Sequence, residues 1–408
     1  MLDVRVLMVT LTGFCVFLNV YATQTLLPLF ARVFNASKFK VSLTVCATTI
    51  GIALAAPVVG LLAERIGRRR TMAGSVALLT VPILLAATAP GLDSLIAWRF
   101  VQGLVMPGII AVTMAYVSEE WAGGGAAAVM SAYVAGNVLG GVCGRLVSGI
   151  AADHFGWRAS FLALGALNAV GAAAVWLWLP QSRIAHPVKS ISTSIRDLAG
   201  HLRRRTVLAT FGVGTTALFA LVACFTYITF YLAAPPFHLG TMGLGLLFMV
   251  YLVGVVVTPV AGTWIERLGH RTAVVGAVVA SAVGVAITLF HSLPMVVAGL
   301  AICSTGIFIC QSAAASYLGH VAGNAKASAA GLYTTFYYAG GTLGAAVPAV
   351  AWSVGGWPAC VALILGVLAA GCVLAMIFWH RVDPALEAIV TQNDKTPSAG
   401  DLALAIES

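Results

Sequence analysis

Two arginines, Arg99 and Arg145, stand inside stretches of sequence that are otherwise apolar. A cation in hydrocarbon costs at least about 2.5–3.5 kcal/mol on insertion scales, so it normally faces a partner or a wet cavity. Gln102 follows Arg99 by three residues and shares its helical face, and Asn137 precedes Arg145 by eight on roughly one face. Such groups offer binding of an anionic or polar solute, or tuning of a proton's passage. The plain alternative is a long side chain that snorkels to the outer interface. Asn19, Gln24, Tyr227, Gln311, Tyr333 and Tyr337 are further candidates in apolar surroundings. Tyr333 and Tyr337, four apart, share a helical face, and each offers an apolar ring with a hydroxyl that suits a semi-polar solute. Hydrogen bonding between helices explains any one of these six equally well. The set as a whole favours a cavity.

A second group sits at chain junctions. Gly60-Leu61-Leu62-Ala63-Glu64-Arg65-Ile66-Gly67-Arg68-Arg69 ends one apolar run, and Gly262-Thr263-Trp264-Ile265-Glu266-Arg267-Leu268-Gly269-His270-Arg271 ends another. Gly60 permits close helix approach, and Glu64 can pair with Arg68 or accept from a helix N-terminus. Such contacts exist only while the helix ends are together, so they bias one of two states. Gly60, Glu64, Arg65, Gly67 and Arg68, with Glu266, Arg267 and Gly269, are thus the expected gate. The competing reading is a basic loop that serves only to orient the chain.

Enzyme chemistry has no foothold. No G-x-S-x-G, H-E-x-x-H or phosphate-loop pattern occurs. Cys15, Cys46, Cys143, Cys224, Cys303, Cys310, Cys360 and Cys372 all lie in apolar runs without metal-ligand spacing, and read as small packing residues. No metal or cofactor is expected. None of the 13 carboxylates sits at the centre of an apolar run, so no residue is an obvious proton carrier. Glu119 and Asp153, at run ends, or protonation of the solute itself, remain as routes, as do facilitated diffusion and another coupling ion.

The elements that must position these groups follow from composition. Of 408 residues, 60% are hydrophobic and only 9% charged, against about 25% charged in soluble proteins. This excludes a soluble globular chain and a disordered one. A bilayer core about 30 Å thick needs about 20 apolar residues in a helix. Twelve runs qualify: 4–30, 41–63, 71–89, 94–117, 126–150, 159–179, 207–233, 241–264, 272–290, 294–318, 327–353 and 357–380. The first is expected to be a retained span rather than a signal peptide. With both termini placed inside, most Lys and Arg fall on the inner side, and only Arg32, Lys38, Lys40 and Arg158 on the outer. The inside bias sets both termini in the cytoplasm and accounts for the net charge of +9 without nucleic acid.

One connection, 181–206, is long and separates 1–180 from 207–380. Ile195, Leu198 and Leu202 share one face there, as in a short helix on the membrane surface. A solvated linker is the other possibility. The tail 381–408 is polar. The halves repeat: the loop pattern recurs 202 residues on, Ala135-Gly136-Asn137-Val138-Leu139-Gly140 recurs 204 on as Ala339-Gly340-Gly341-Thr342-Leu343-Gly344, and Gly156-Trp157 recurs 200 on as Gly356-Trp357. Two similar six-helix bundles about an axis along the membrane normal place a site between them near mid-bilayer.

These residues resemble the major facilitator superfamily over essentially all of 1–380. The loop G-x-L-a-D-r-x-G-r-r is matched by Gly60, Leu62, Ala63, Arg65, Gly67, Arg68 and Arg69, with Glu64 in place of Asp, and R-x-x-q-G by Arg99, Gln102 and Gly103. Tyr21-Ala22-Thr23-Gln24-Thr25-Leu26-Leu27-Pro28, Thr113 to Glu120, and Gly144-Arg145-Leu146-Val147-Ser148-Gly149 are similar to the YnfM-like branch of efflux proteins. The resemblance implies an all-α membrane protein of the major facilitator fold. It implies a monomeric, multi-pass secondary transporter of the inner membrane that exchanges a small solute, often for protons. Spans 1, 4, 7 and 10 would line its cavity, with contributions from 2, 5, 8 and 11. The proline of the family's antiporter motif G-P-x-x-G-G is replaced by Arg145. Proton-coupled efflux of a small organic solute leads. Uptake or facilitated diffusion of a small organic anion or sugar is the alternative.

Overall fold

The computed structural model describes residues 3–121, 124–180, 200–254, 256–257, 268–322 and 326–379, without side chains at 60–62, 64, 127 and 326–328. Residues 195–199 of the expected surface helix 195–203, the tail 381–408, and Glu266 and Arg267 of the expected gate therefore lie outside the described residues, as does the side chain of Glu64, while 200–202 are helical.

Among the described residues, all regular structure is helical. The helices are α1 (Val4–Val20), α2 (Leu27–Val33), α3 (Lys38–Ile66), α4 (Arg68–Ala87), α5 (Leu92–Val105), α6 (Pro107–Glu120), α7 (Ala126–Phe155) and α8 (Trp157–Trp178). The second half adds α9 (Arg205–Ala233), α10 (Thr241–Leu247), α11 (His270–Ile287), α12 (Leu293–Val321), α13 (Lys326–Ala346) and α14 (Pro348–Phe378). Among the described residues, ten helical segments are long and apolar enough to cross a membrane, and Thr241–Gly254 is a shorter apolar one.

Several runs that read as continuous are broken, and proline is the physical reason. After α1 the chain makes a 3-10 turn, Ala22–Leu26, before α2. Pro28 lacks an N–H, and its ring would collide with the carbonyl four residues back, that of Gln24. Pro107 separates α5 from α6 in the same way, and Pro348 separates α13 from α14. The break in α14 is different: Gly355 and Gly356 leave helical geometry there.

The repeat is visible in the backbone. Gly67 and Gly269 start α4 and α11 with φ of +94° and +80°, and Gly156 and Gly356 start the next repeated helices at +82° and +61°. Glycine takes this left-handed region without the Cβ clash other residues suffer. Packing repeats as well. A Cβ on Gly136, Gly140 or Gly144 of α7 would strike the backbone of Thr10, Phe14 or Leu18 in α1, and one on Gly340 or Gly344 of α13 would strike Thr215 or Phe219 in α9. Small residues let these helix backbones touch, which is how helices associate without a hydrophobic driving force. Burial sorts inner from outer elements: 78% of the most apolar window of α9 is buried, against 28% for α14. The outer helices turn large apolar residues such as Val170, Leu177 and Val354 outward, as lipid contact requires.

Candidate functional site at the seam between the halves

Arg99 lies on α5 and is 1% exposed, so it does not snorkel. The end of α1 leaves carbonyls without helical partners, and Arg99 takes them. Its Nη1 donates to the Asn19 carbonyl at 2.8 Å, its Nη2 to the Val20 carbonyl, and its Nε to the Thr44 carbonyl of α3 at 3.2 Å. Nη1 also donates to Gln102 Oε1, and Gln102 Nε2 donates to the Pro82 carbonyl of α4 at 3.0 Å. Asn19 Nδ2 donates to the Cys15 carbonyl at 2.9 Å and to Asn168 Oδ1 at 3.3 Å. Asn168 in turn donates to Val76 O and Thr80 Oγ1. Arg99, Gln102 and Asn19 thus form one dry network that joins five helices of the first half.

Arg145, on α7, is 3% exposed and differently surrounded. Its Nε and Nη2 both donate to Gln24 Oε1, at 2.9 and 2.8 Å, and Nη1 donates to the Gly141 carbonyl at 2.8 Å. Its guanidinium carbon lies 5.1 Å from the ring centre of Tyr21, 4.4 Å from that of Phe248 and 5.2 Å from that of Tyr251. Phe248 and Tyr251 belong to the second half of the chain. Gln24 Nε2 donates across to Thr226 of α9 at 3.0 Å. Among the described residues no carboxylate pairs with Arg145.

The hydroxyls of Tyr21, at this box, and of Tyr333, on α13, are buried without a hydrogen-bond partner. Tyr337 stacks on Tyr333 with ring centres 5.9 Å apart and meets Tyr338 edge-on at 5.5 Å. Gln24 and Arg145 are therefore brought together, Tyr333 and Tyr337 form a stacked pair on α13, and Asn137 lies against Gly13 of α1. Tyr227 is held apart: its hydroxyl donates to the Ala345 carbonyl at 2.9 Å. Gln311 sits half-buried on α12. Tyr21, Tyr133, Phe248, Tyr251 and Thr226 escaped sequence reasoning, because they come from distant parts of the chain and no local spacing ties them to Arg145.

The seam around this box is made of small contacts. Thr49 and Thr342 hydroxyls meet at 2.9 Å, and Thr241 donates to Asp153 at 3.0 Å. A Cβ on Gly149 would strike the Thr241 backbone. Lys38 lies 5.7 Å from the Phe230 ring centre and 5.2 Å from that of Trp352. The contacts of Lys38, Gly149 and Asp153 belong to the end of the bundle that holds the loops 34–37, 88–91 and 234–240, and Thr49 meets Thr342 deeper along α3. At the other end, Arg68 of the loop motif pairs with Glu119 of α6. Arg69 donates to the Leu179 and Trp176 carbonyls, while Arg5 lies 3.9 Å from Glu120. Arg65 is exposed. The carboxylate facing Arg68 is thus one expected only as a proton route.

The sequence pattern of the Major Facilitator Superfamily matches residues 9–345 and, in a second placement, 236–404. The chain belongs to that superfamily. Members of the superfamily are membrane transporters, not enzymes, and this one is a multi-pass membrane protein. It is 31% identical to the inner membrane transport protein YnfM of Escherichia coli over 92% of this chain and 89% of that protein. It is also 31% identical to the uncharacterized MFS-type transporter YybF of Bacillus subtilis, over 86% and 87%. The crystal structure of the nucleoside transporter NupG superposes with a TM-score of 0.77 at 12% identity, over 93% of this chain and all of that one. That likeness is one of fold.

Proposed function

We propose that this facilitator protein exports a small organic solute across the inner membrane by alternating access, coupled to protons. Twelve spans in two six-helix units, 1–180 and 207–380, carry the motion, with linker 181–206 and tail 381–408 in the cytoplasm beside both termini. The ten long apolar helices, with Thr241–Gly254 and α13, support that count. Gln24, Asn137, Arg145, Tyr333 and Tyr337 face the solute. Arg68 and Glu119 act with Glu64, Arg65 and Gly67, and with Glu266, Arg267 and Gly269, at the cytoplasmic gate.

One observation carries this reading: two halves built alike meet along a seam of small residues and isolated hydrogen bonds, with unpartnered polar groups beside it. Such a seam can open at modest cost, and the repeat lets the opposite end close in the same manner. The absence of a carboxylate near Arg145 among the described residues keeps facilitated movement of an anion as the second reading. Efflux takes its direction from the likeness to the YnfM-like branch.

The test replaces Thr49 and Thr342 by cysteine and forms the disulfide in proteoliposomes. Solute counterflow is expected to stop and to return on reduction. Undiminished counterflow in fully crosslinked protein would refute movement at this seam. Everted vesicles that lose solute instead of accumulating it under a proton gradient would refute efflux.

A further inference from the structure

The geometry points to a substrate class: a small planar organic monoanion, an aromatic monocarboxylate in type, bound by Arg145 at the seam. This rests on the transporter reading above. The first ground is charge. Arg145 is buried, and its described neighbours are an amide, a backbone carbonyl and three rings. Rings share a cation's field but cannot neutralise it, and a buried charge without a counterion is costly. Among the described residues no carboxylate pairs with Arg145, so the charge calls for an anion from outside.

The second ground is hydrogen bonding. A guanidinium has five N–H donors. The protein receives three bonds from Arg145, two of them on the single oxygen of Gln24. A carboxylate suits the planar fork better than one amide oxygen does. The buried hydroxyl of Tyr21, whose ring centre lies 5.1 Å from the Arg145 guanidinium carbon, is a donor that lacks an acceptor, and a carboxylate supplies one. One cation calls for one negative charge: Arg99 is bound within its own half and Lys38 lies against Phe230 and Trp352. The stacked pair Tyr333–Tyr337 offers aromatic faces to a flat body.

The third ground links the site to motion. Gln24 holds Arg145 through its oxygen and Thr226 of the other half through its nitrogen. A carboxylate that replaces the Gln24 oxygen on Arg145 frees the side chain that ties the halves together. Occupancy and the seam are then coupled by a single amide.

The test uses the full chain in nanodiscs, with labelled benzoate as probe and nicotinate, 4-hydroxybenzoate and benzamide as competitors. The two carboxylates are expected to displace benzoate, and benzamide to do so at least tenfold more weakly. Arg145→Gln should lower benzoate affinity at least thirtyfold. Gln24→Glu installs an internal counterion and should do the same, which keeps the test decisive if Arg145→Gln does not fold. Benzamide equal to the carboxylates, no binding of any carboxylate, or unchanged affinity in Gln24→Glu overturns the proposal. Labelling of a Thr342→Cys variant in the same samples separates the two readings. Alternating accessibility without anion preference sinks the anion and spares the transporter. Charge-selective benzoate binding with fixed accessibility supports the anion site and sinks the transporter.

Discussion

Arg99 and Arg145 carry the same charge in equally dry surroundings, yet their neighbourhoods are opposites. Arg99 donates to three carbonyls and a glutamine of its own half, and so finishes the broken end of α1. Arg145 sits where the halves meet, among rings from both, with three hydrogen bonds against the four of Arg99; among the described residues neither pairs with a carboxylate. The difference teaches that burial of a charge does not by itself mark a ligand site. What matters is whether the protein has already used the charge.

Substitutions can break or sharpen this contrast. The largest expected effect is Arg99→Ala, which removes the side-chain donor to the Asn19 and Val20 carbonyls at the end of α1 and to Gln102 Oε1. At about 1–3 kcal/mol for each unsatisfied buried group, a loss on the order of 3 kcal/mol or more is expected, read as lowered thermal stability of reconstituted protein. A melting temperature like that of the parent would erase the contrast. Next come two glycines of α7. Gly140→Val presses on α1 within a half and should cost about 1–3 kcal/mol. Gly149→Val presses on Thr241 across the seam and should spare stability while raising outer-end accessibility to a thiol reagent. Equal stability losses at both positions would show that the seam is as rigid as the interior.

Smaller is Lys38→Ala. It removes a partly exposed cation from Phe230 and Trp352, an interaction of about 0.5–1 kcal/mol, and should shift the open fraction by a few-fold at most. No shift in spin-label distances across that end would remove Lys38 from the seam. The smallest stability effect is expected for Arg145→Ala, within about 1 kcal/mol, because removal of an unpaired buried charge relieves as much as it loses. A melting drop as large as that of Arg99→Ala would make both arginines structural.

How much of this was legible differs from residue to residue. The pairing of Arg99 with Gln102 follows from a three-residue spacing on one helix, and the structure contains it. The glycines at 67 and 269, and at 156 and 356, stood out as repeats and take matching positive φ angles. The breaks at the end of α1 and at Met106 were hidden, because apolar runs report hydrophobicity and not the carbonyl clash that a proline brings. The pairing of Arg68 with Glu119, fifty-one residues away, has no local signal, and the side chain of Glu64, its neighbour in sequence, lies outside the described residues. The rings around Arg145 come from positions 21, 248 and 251, and no local pattern ties them to it.

Composition and periodicity by themselves determined that this chain must bury itself in lipid as helices, that its halves are alike, and that two cations needed an explanation. Those are properties of one residue or one helix face, set by transfer free energy and a 3.6-residue turn. Only the tertiary structure decided which cation the protein satisfies and which it leaves for something else. That depends on which helix ends, rings and amides arrive from distant parts of the chain, and packing alone brings them together.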